Sequence, residues 1–179
     1  MNTKAAFRQK FLEVRSNISM AEKKAMDSVL NDKLHAFITE LKPKVVHTYL
    51  PMGSEIDFYP LIDFLLNEKI KVVCPKALNK PNLQHLILTS MNNMEQGRFG
   101  TFYPKDSIEY KGDYDLIIVP GLAYTSEKYR LGYGGGYYDY FLAQQSAAIK
   151  LGLFYACQKA DDIPVEGHDI PLDLIITSF

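Results

Sequence analysis

The sequence predicts an α/β fold: a single three-layer domain over residues 1–179, with a mostly parallel open sheet flanked by helices and the N-terminal helices packed on the sheet. Three observations predict it. From residue 44 onward, short β-branched runs alternate with helical stretches, the pattern of strands joined by crossover helices. Two segments of helical periodicity precede them. The 179 residues, 47% of them hydrophobic, suffice for one sizeable core and are too few for two, and no repeat, low-complexity tract or linker marks a boundary.

Taken in order, residues 4–17 read as a helix because Phe7, Phe11, Val14 and Ile18 recur at spacings of four, three and four. Lys4, Arg8 and Arg15 fall within about 40° of one another at 100° per residue, beside that apolar stripe rather than opposite it. Their charged ends therefore border whatever the helix packs on. Ser19-Met20-Ala21-Glu22 is a capping box for a second helix, carried by Leu30, Leu34, Phe37 and Leu41 and stopped before Pro43. Residues 44–50 (KVVHTYL) form a strand, and 58–68 a helix with Leu61, Ile62, Leu65 and Leu66 facing inward. Strands follow at 70–74 and 83–88, while 89–112, with scattered Gly, Pro and Tyr, reads as irregular. Residues 115–119 (DLIIV) are a strongly buried strand ending at Pro120 and Gly121. A glycine-rich loop and a helix at about 136–145 come next, then strands at 149–154 and 174–177.

Composition excludes several classes of function. With 20 basic against 21 acidic residues, no net field attracts a polyanion, so nucleic acid is not an expected partner. No apolar run approaches the ~18 residues of a membrane span and the start lacks a signal-peptide core, so a soluble, cytoplasmic chain, expected to be monomeric, is the reading. Cys74 and Cys157, both in apolar strand-like contexts, read as buried free thiols; two cysteines give neither a disulfide framework nor a zinc quartet. Asn17-Ile18-Ser19 matches a glycosylation acceptor by accident, given no secretion signal. His35, His47 and His85 are dispersed and read as structural or solvent-facing, and His168 beside Asp169 has no nucleophile pattern to join.

The chemistry points to residues 130–139, RLGYGGGYYD, where Gly132, Gly134, Gly135 and Gly136 lie between a buried strand and a helix. Glycine loses the most backbone entropy on folding, so such a run implies positive φ or close backbone approach. A loop of this kind opening a helix turns N–H groups toward one point, an arrangement that suits phosphate oxygens. It can equally be a tight strand-to-helix turn. Arg130 and Asp139 favour the ligand reading, since they add a phosphate counter-ion and a candidate Mg²⁺ ligand. The spacing is neither a Walker A loop nor the dinucleotide fingerprint. Tyr133, Tyr137 and Tyr138 place flat hydrogen-bonding rings beside the loop, some of them available for core packing.

These residues resemble the 5-formyltetrahydrofolate cyclo-ligases, also called methenyltetrahydrofolate synthetases. The family signature Arg-x-Gly-x-Gly-x-Gly-Tyr-Tyr-Asp is matched by Arg130, Gly132, Gly134, Gly136, Tyr137, Tyr138 and Asp139. A Lys-x-x-x-Arg near the start is similar to Lys4 and Arg8, the folate segment to YLPMGSEID with Leu50 and Glu55, and the closing acidic segment to IPVEGHDIPLDLIIT with Asp169. The resemblance implies ATP- and Mg²⁺-dependent cyclisation of 5-formyltetrahydrofolate, in mono- or polyglutamylated form, to 5,10-methenyltetrahydrofolate with release of ADP and phosphate. It implies that Lys4, Arg8, Arg130, Gly132, Gly134, Gly135, Gly136, Tyr137 and Tyr138 bind ATP. Leu50, Glu55 and Tyr138 would then contact the folate, Asp139 and Asp169 serve the metal, and Arg130 and Tyr138 face the reacting groups. On the residues alone other readings stay open. Lys4, Arg8 and Arg15 fit a solvated helix face, Glu55 a helix cap and Asp169 a turn. The loop fits a phosphate-binding enzyme without ATP turnover, or a non-catalytic folate or nucleotide sensor.

Overall fold

The computed structural model describes residues 3–178. In chain order its elements are α1 (Lys4–Ser16), α2 (Met20–Leu41), β1 (Val45–His47), α3 (Tyr59–Asn67), β2 (Lys71–Ala77), β3 (Leu83–Leu88), β4 (Met94–Gln96), β5 (Phe102–Pro104), β6 (Leu116–Val119), β7 (Ala123–Tyr124), β8 (Arg130–Leu131), α4 (Tyr137–Leu142), β9 (Ile149–Phe154) and β10 (Leu174–Thr177). Six strands form one sheet in the order β10-β9-β6-β1-β2-β3, parallel except for β3. The chain winds from β1 to β2 in one direction and from β6 to β9 and β10 in the other. The crevice outside the carboxyl ends of β1 and β6 is therefore where an open α/β sheet places a ligand.

Strand alternation sends side chains to two faces. Val46, Val72, Cys74, Leu116, Ile118 and Leu151 face α2 and α3, whose Leu30, Leu34, Ile38, Leu61, Ile62 and Leu65 complete the larger core. Val73, Ile117 and Val119 face Phe141 and Leu142 of α4 and an aromatic group around Tyr114. The three expected layers are present. The capping box of α2 forms in both directions: Ser19 Oγ accepts from Glu22 N at 3.3 Å, and Glu22 Oε2 accepts from Ser19 N at 3.1 Å. α1 packs elsewhere. Its Phe11 docks with Leu122, Ala123, Leu131, Ala160 and Ile163, so it lies on the β7–β8 hairpin beyond the sheet's carboxyl edge, and of the two N-terminal helices it is α2 that packs on the sheet.

Several boundaries differ from the sequence expectation. β1 stops at His47 instead of residue 50, because after one more bond, Thr48 N to Val73 O at 2.9 Å, the chain turns away through Pro51. β2 continues to Ala77 through Pro75, which lies beyond the end of β1 and so has no ladder bond to lose on that side. The stretch 89–112 holds the β4–β5 hairpin, whose three-residue strands are too short for an alternation to be legible. A second hairpin, β7–β8, separates β6 from the glycine loop and places Arg130 on a strand. Cys74 is buried as expected; Cys157 is exposed, because it sits in a 3-10 turn after β9 and not in a strand. Among the described residues no helix is long and apolar enough to cross a membrane.

Candidate active site

The glycine loop leaves β8 and turns sharply into α4. Gly134 and Gly136 hold φ of +93° and +71°, in the left-handed region that other residues resist, so two of the four glycines meet the conformational demand directly. At Gly134 a β-carbon would also stand 3.0 Å from the Arg8 guanidinium carbon. Arg8 closes onto the loop, donating from Nε to Gly132 O at 2.9 Å. Lys80, from the β2–β3 turn, donates to Gly134 O at 3.3 Å, and Tyr137 Oη donates to Leu78 O at 3.3 Å. α4 has six residues, less than two turns, so its dipole is short; the positive character of the loop comes mainly from Arg8, Lys80 and the backbone N–H groups.

Beside the loop, four of the sequence-predicted residues meet. Arg130, nearly buried, donates from Nη2 to Asp139 Oδ1 at 2.9 Å and from Nη1 to Ile170 O at 2.6 Å. Asp139 Oδ1 also accepts the N–H of Ile170 at 3.0 Å, which brings the neighbouring Asp169 alongside. Asp169 Oδ2 accepts from Lys4 Nζ and from Glu166 N, both at 2.7 Å. Burial pushes the Asp169 carboxyl up, but the Lys4 ammonium and the Glu166 N–H outweigh it and hold the group below the usual carboxylate range. Among the described residues no group of three His, Cys, Asp or Glu side chains could hold a metal ion. The pair of carboxylates fits Mg²⁺ nonetheless: oxygen donors suit a hard cation that keeps several waters, and Asp139 Oδ1 is committed to protein donors while Oδ2 has no hydrogen-bond partner among the described residues.

On the other flank lies the turn after β1. Glu55 accepts at Oε1 from Tyr133 Oη and at Oε2 from Met52 N, the latter at 2.9 Å. Ser54 Oγ accepts from Arg15 Nε at 3.0 Å, and the Arg15 guanidinium lies 5.8 Å from the centre of the Tyr133 ring. Leu50, expected to line a pocket, is 7% exposed and belongs to the larger core, so it supports the turn from below. The Tyr138 hydroxyl is buried and has no partner among the described residues. Burial, with Cys74 and Glu55 adding to it, raises the Tyr138 phenol well above its ordinary pKa; burial and the Glu55 charge do the same for Tyr49 and Tyr133. These phenols stay protonated, so they can donate hydrogen bonds and cannot serve as bases; Tyr133 already donates to Glu55.

The structure thus brings Lys4, Arg130, Asp139 and Asp169 together at one end, Arg8 and Gly132–Gly136 in the middle, and Glu55 at the other end. Sequence reading named Tyr133 as a ring beside the loop but gave it no partner, and missed Lys80 and Ser54. Tyr133 stood next to the glycines as a signal; nothing in the β2–β3 turn foretold Lys80. His47 and His85, dispersed in sequence, meet with Nε2 and Nδ1 3.2 Å apart beneath Tyr138, the His47 and Tyr138 rings being 6.1 Å apart.

Comparison with known proteins gives the family. Residues 1–178 match the 5-formyltetrahydrofolate cyclo-ligase family. The 5-formyltetrahydrofolate cyclo-ligase of Mycoplasma pneumoniae is 32% identical over 177 residues, covering 97% of each chain. That of Haemophilus influenzae is 27% identical over 98% of this chain and 100% of its own. Among solved structures, the 5,10-methenyltetrahydrofolate synthetase of Aquifex aeolicus superposes with a TM-score of 0.85 at 31% identity, over 98% of this chain and 89% of that one. The synthetase of Mycoplasma pneumoniae gives 0.80 at 28% identity over 97% of both.

Proposed function

The chain belongs to the 5-formyltetrahydrofolate cyclo-ligase family, and from that premise we propose how its residues divide the work of the ATP-dependent cyclisation of 5-formyltetrahydrofolate to 5,10-methenyltetrahydrofolate. The chemical obstacle is the formyl group. Its carbon is a poor electrophile because the N5 lone pair delocalises into the carbonyl, and its oxygen is a poor leaving group. Moving the terminal phosphoryl group of ATP onto that oxygen removes both difficulties. N10 then attacks the activated carbon, the N10 proton passes to solvent, and phosphate departs.

In this reading the protein positions and neutralises, as enzymes of phosphoryl transfer do. Lys4, Arg8 and Arg130 and the N–H groups of residues 132–136 take the triphosphate, with Tyr137 beside them. Asp139 and Asp169 would hold Mg²⁺, which when bound would supply neutralisation of phosphate charge. Glu55 accepts N–H groups of the folate, Leu50 supports its turn, and the Tyr138 hydroxyl donates to an oxygen near the reacting carbon. Arg130 cannot reach far, since Asp139 and Ile170 hold it; its role is to fix the metal carboxylate and add positive charge. A cytoplasmic monomer acting on free or polyglutamylated folate completes the proposal.

The observation that carries the reading is the contact between Tyr133 and Glu55: the glycine loop and the folate turn touch through side chains 78 positions apart. Two reactants held on those segments meet end to end, which is the geometry that transfer between them requires. The test supplies 5-formyltetrahydrofolate, ATP and Mg²⁺ and follows methenyl product by absorbance together with ADP release. Folded protein that forms no product rejects the assignment, and binding of both ligands without turnover identifies a sensor.

A further inference from the structure

Arg15 is the third cation of the α1 stripe, and the reading above gives it no task. It is 6% exposed, yet its Nε donates to a neutral hydroxyl, Ser54 Oγ at 3.0 Å, and among the described residues no carboxylate lies within ion-pair distance of it. Removing a guanidinium from water costs free energy that neutral partners alone do not return, so its placement calls for a local reason.

The contacts supply one. Ser54 directly precedes Glu55, and the Arg15 guanidinium lies against the face of Tyr133, whose hydroxyl donates to Glu55 Oε1. Arg15 therefore fixes both supports of the Glu55 carboxylate, the turn that carries it and the ring that bonds it. The same charge acts against the effect of burial on the Tyr49, Tyr133 and Tyr155 phenols; the Ser54 hydrogen bond and the Tyr133 ring contact are what place it beside Glu55. Along α1, Arg15 lies seven residues beyond Arg8, about 10 Å at 1.5 Å per residue. Arg8 meets the glycine loop and Arg15 meets the turn after β1, so one helix face spans both segments.

We propose that Arg15 is a positioning residue for the folate, holding the Glu55 carboxylate in a single orientation through Ser54 and Tyr133, an inference that rests on the assignment of Glu55 to the folate site. The rival task, suggested by its place on the stripe, is a third contact to the triphosphate. Steady-state kinetics of the full chain separate the two, with KM measured for each substrate in turn and 5-formyltetrahydrofolate binding measured by calorimetry without nucleotide. R15Q is expected to raise the folate KM and Kd about tenfold, the worth of one charge-assisted hydrogen bond, with the ATP KM within about twofold of wild type. R15K, which keeps the charge and loses the fork, falls between. S54A shifts the folate KM the same way by about threefold and decides the matter if R15Q does not fold. A rise in the ATP KM with the folate KM unchanged overturns the proposal, as does a folded variant in which neither moves. Wild-type protein that binds no 5-formyltetrahydrofolate refutes the folate assignment itself, and the proposal falls with it.

Discussion

Asp139 has two tasks that different substitutions separate. Its Oδ1 neutralises Arg130, whose side chain is 3% exposed while that of Asp139 is 21% exposed, and it accepts the Ile170 N–H. Its other oxygen faces the proposed metal. Asp139→Ala removes both oxygens and leaves a buried guanidinium without its counter-charge. Breaking a buried pair in this way costs about 3–5 kcal/mol, and the partial exposure of Asp139 puts the expected loss near the lower end, about 3 kcal/mol. For a chain of this size each kcal/mol lowers Tm by about 2–4 °C, so the alanine variant should melt about 6–12 °C below wild type. Asp139→Asn keeps an acceptor for both donors and should cost only about 1 kcal/mol, or about 2–4 °C. The asparagine variant nevertheless loses the metal-facing carboxylate oxygen, so its turnover should fall about 10–100-fold and its half-saturating Mg²⁺ rise. Calorimetric melts and Mg²⁺ titrations of turnover read the two effects independently. An alanine variant melting within about 2 °C of wild type refutes the structural argument, and an asparagine variant with wild-type Mg²⁺ dependence refutes the metal role.

Tyr138→Phe and acid titration test the aromatic layer. Because the Tyr138 hydroxyl is buried without a partner among the described residues, its removal should leave stability unchanged or raise it by about 1 kcal/mol. If it donates to the folate, kcat/KM falls about tenfold in the same variant; a destabilised variant with full activity would contradict both halves. His85 is held neutral by burial down to about 4, and burial together with His85 lowers His47 well below its ordinary value near 6.5. Both shifts are downward, so the unfolded chain binds protons in this range that the folded chain does not. Stability is therefore full above about pH 6.5 and falls as pH drops from there toward 4, before the ordinary carboxylate range is reached. The slope of melting temperature against pH should lessen over that window in His85→Gln, the part due to His47 burial remaining, and an unchanged profile would remove His85 as a cause.

Elements with long, regular periods were legible: α2 and the buried strand β6 stand within a residue of their expected bounds. The failures have local causes. A proline inside β2 and three-residue strands in β4 and β5 carry no readable alternation, and β7–β8 has only two residues per strand. The site shows the same division. The decapeptide was legible because its glycines are unfavourable anywhere that lacks a conformational reason, and Gly134 and Gly136 supply that reason. Lys80 and Ser54 were not, because a lone lysine or serine in a turn has many ordinary uses and only tertiary contact selects among them.

The α1 stripe lies between these cases. Helical period fixes the direction in which Lys4, Arg8 and Arg15 project, but says nothing of what they meet. In the structure they meet Asp169, the carbonyl of Gly132 and Ser54, segments that approach one another only because the sheet gathers its carboxyl ends. What sets the helix against them is Phe11, buried among Leu122, Leu131 and Ile163 in a small cluster separate from both main cores. The three cations are therefore positioned by one local packing event. Loosening that cluster would withdraw charge from Asp169, the glycine loop and the turn after β1 together, while the sheet and its own helices kept their packing. The ordering of the site is in this sense a property of how α1 docks, and only indirectly of the α/β core that carries it.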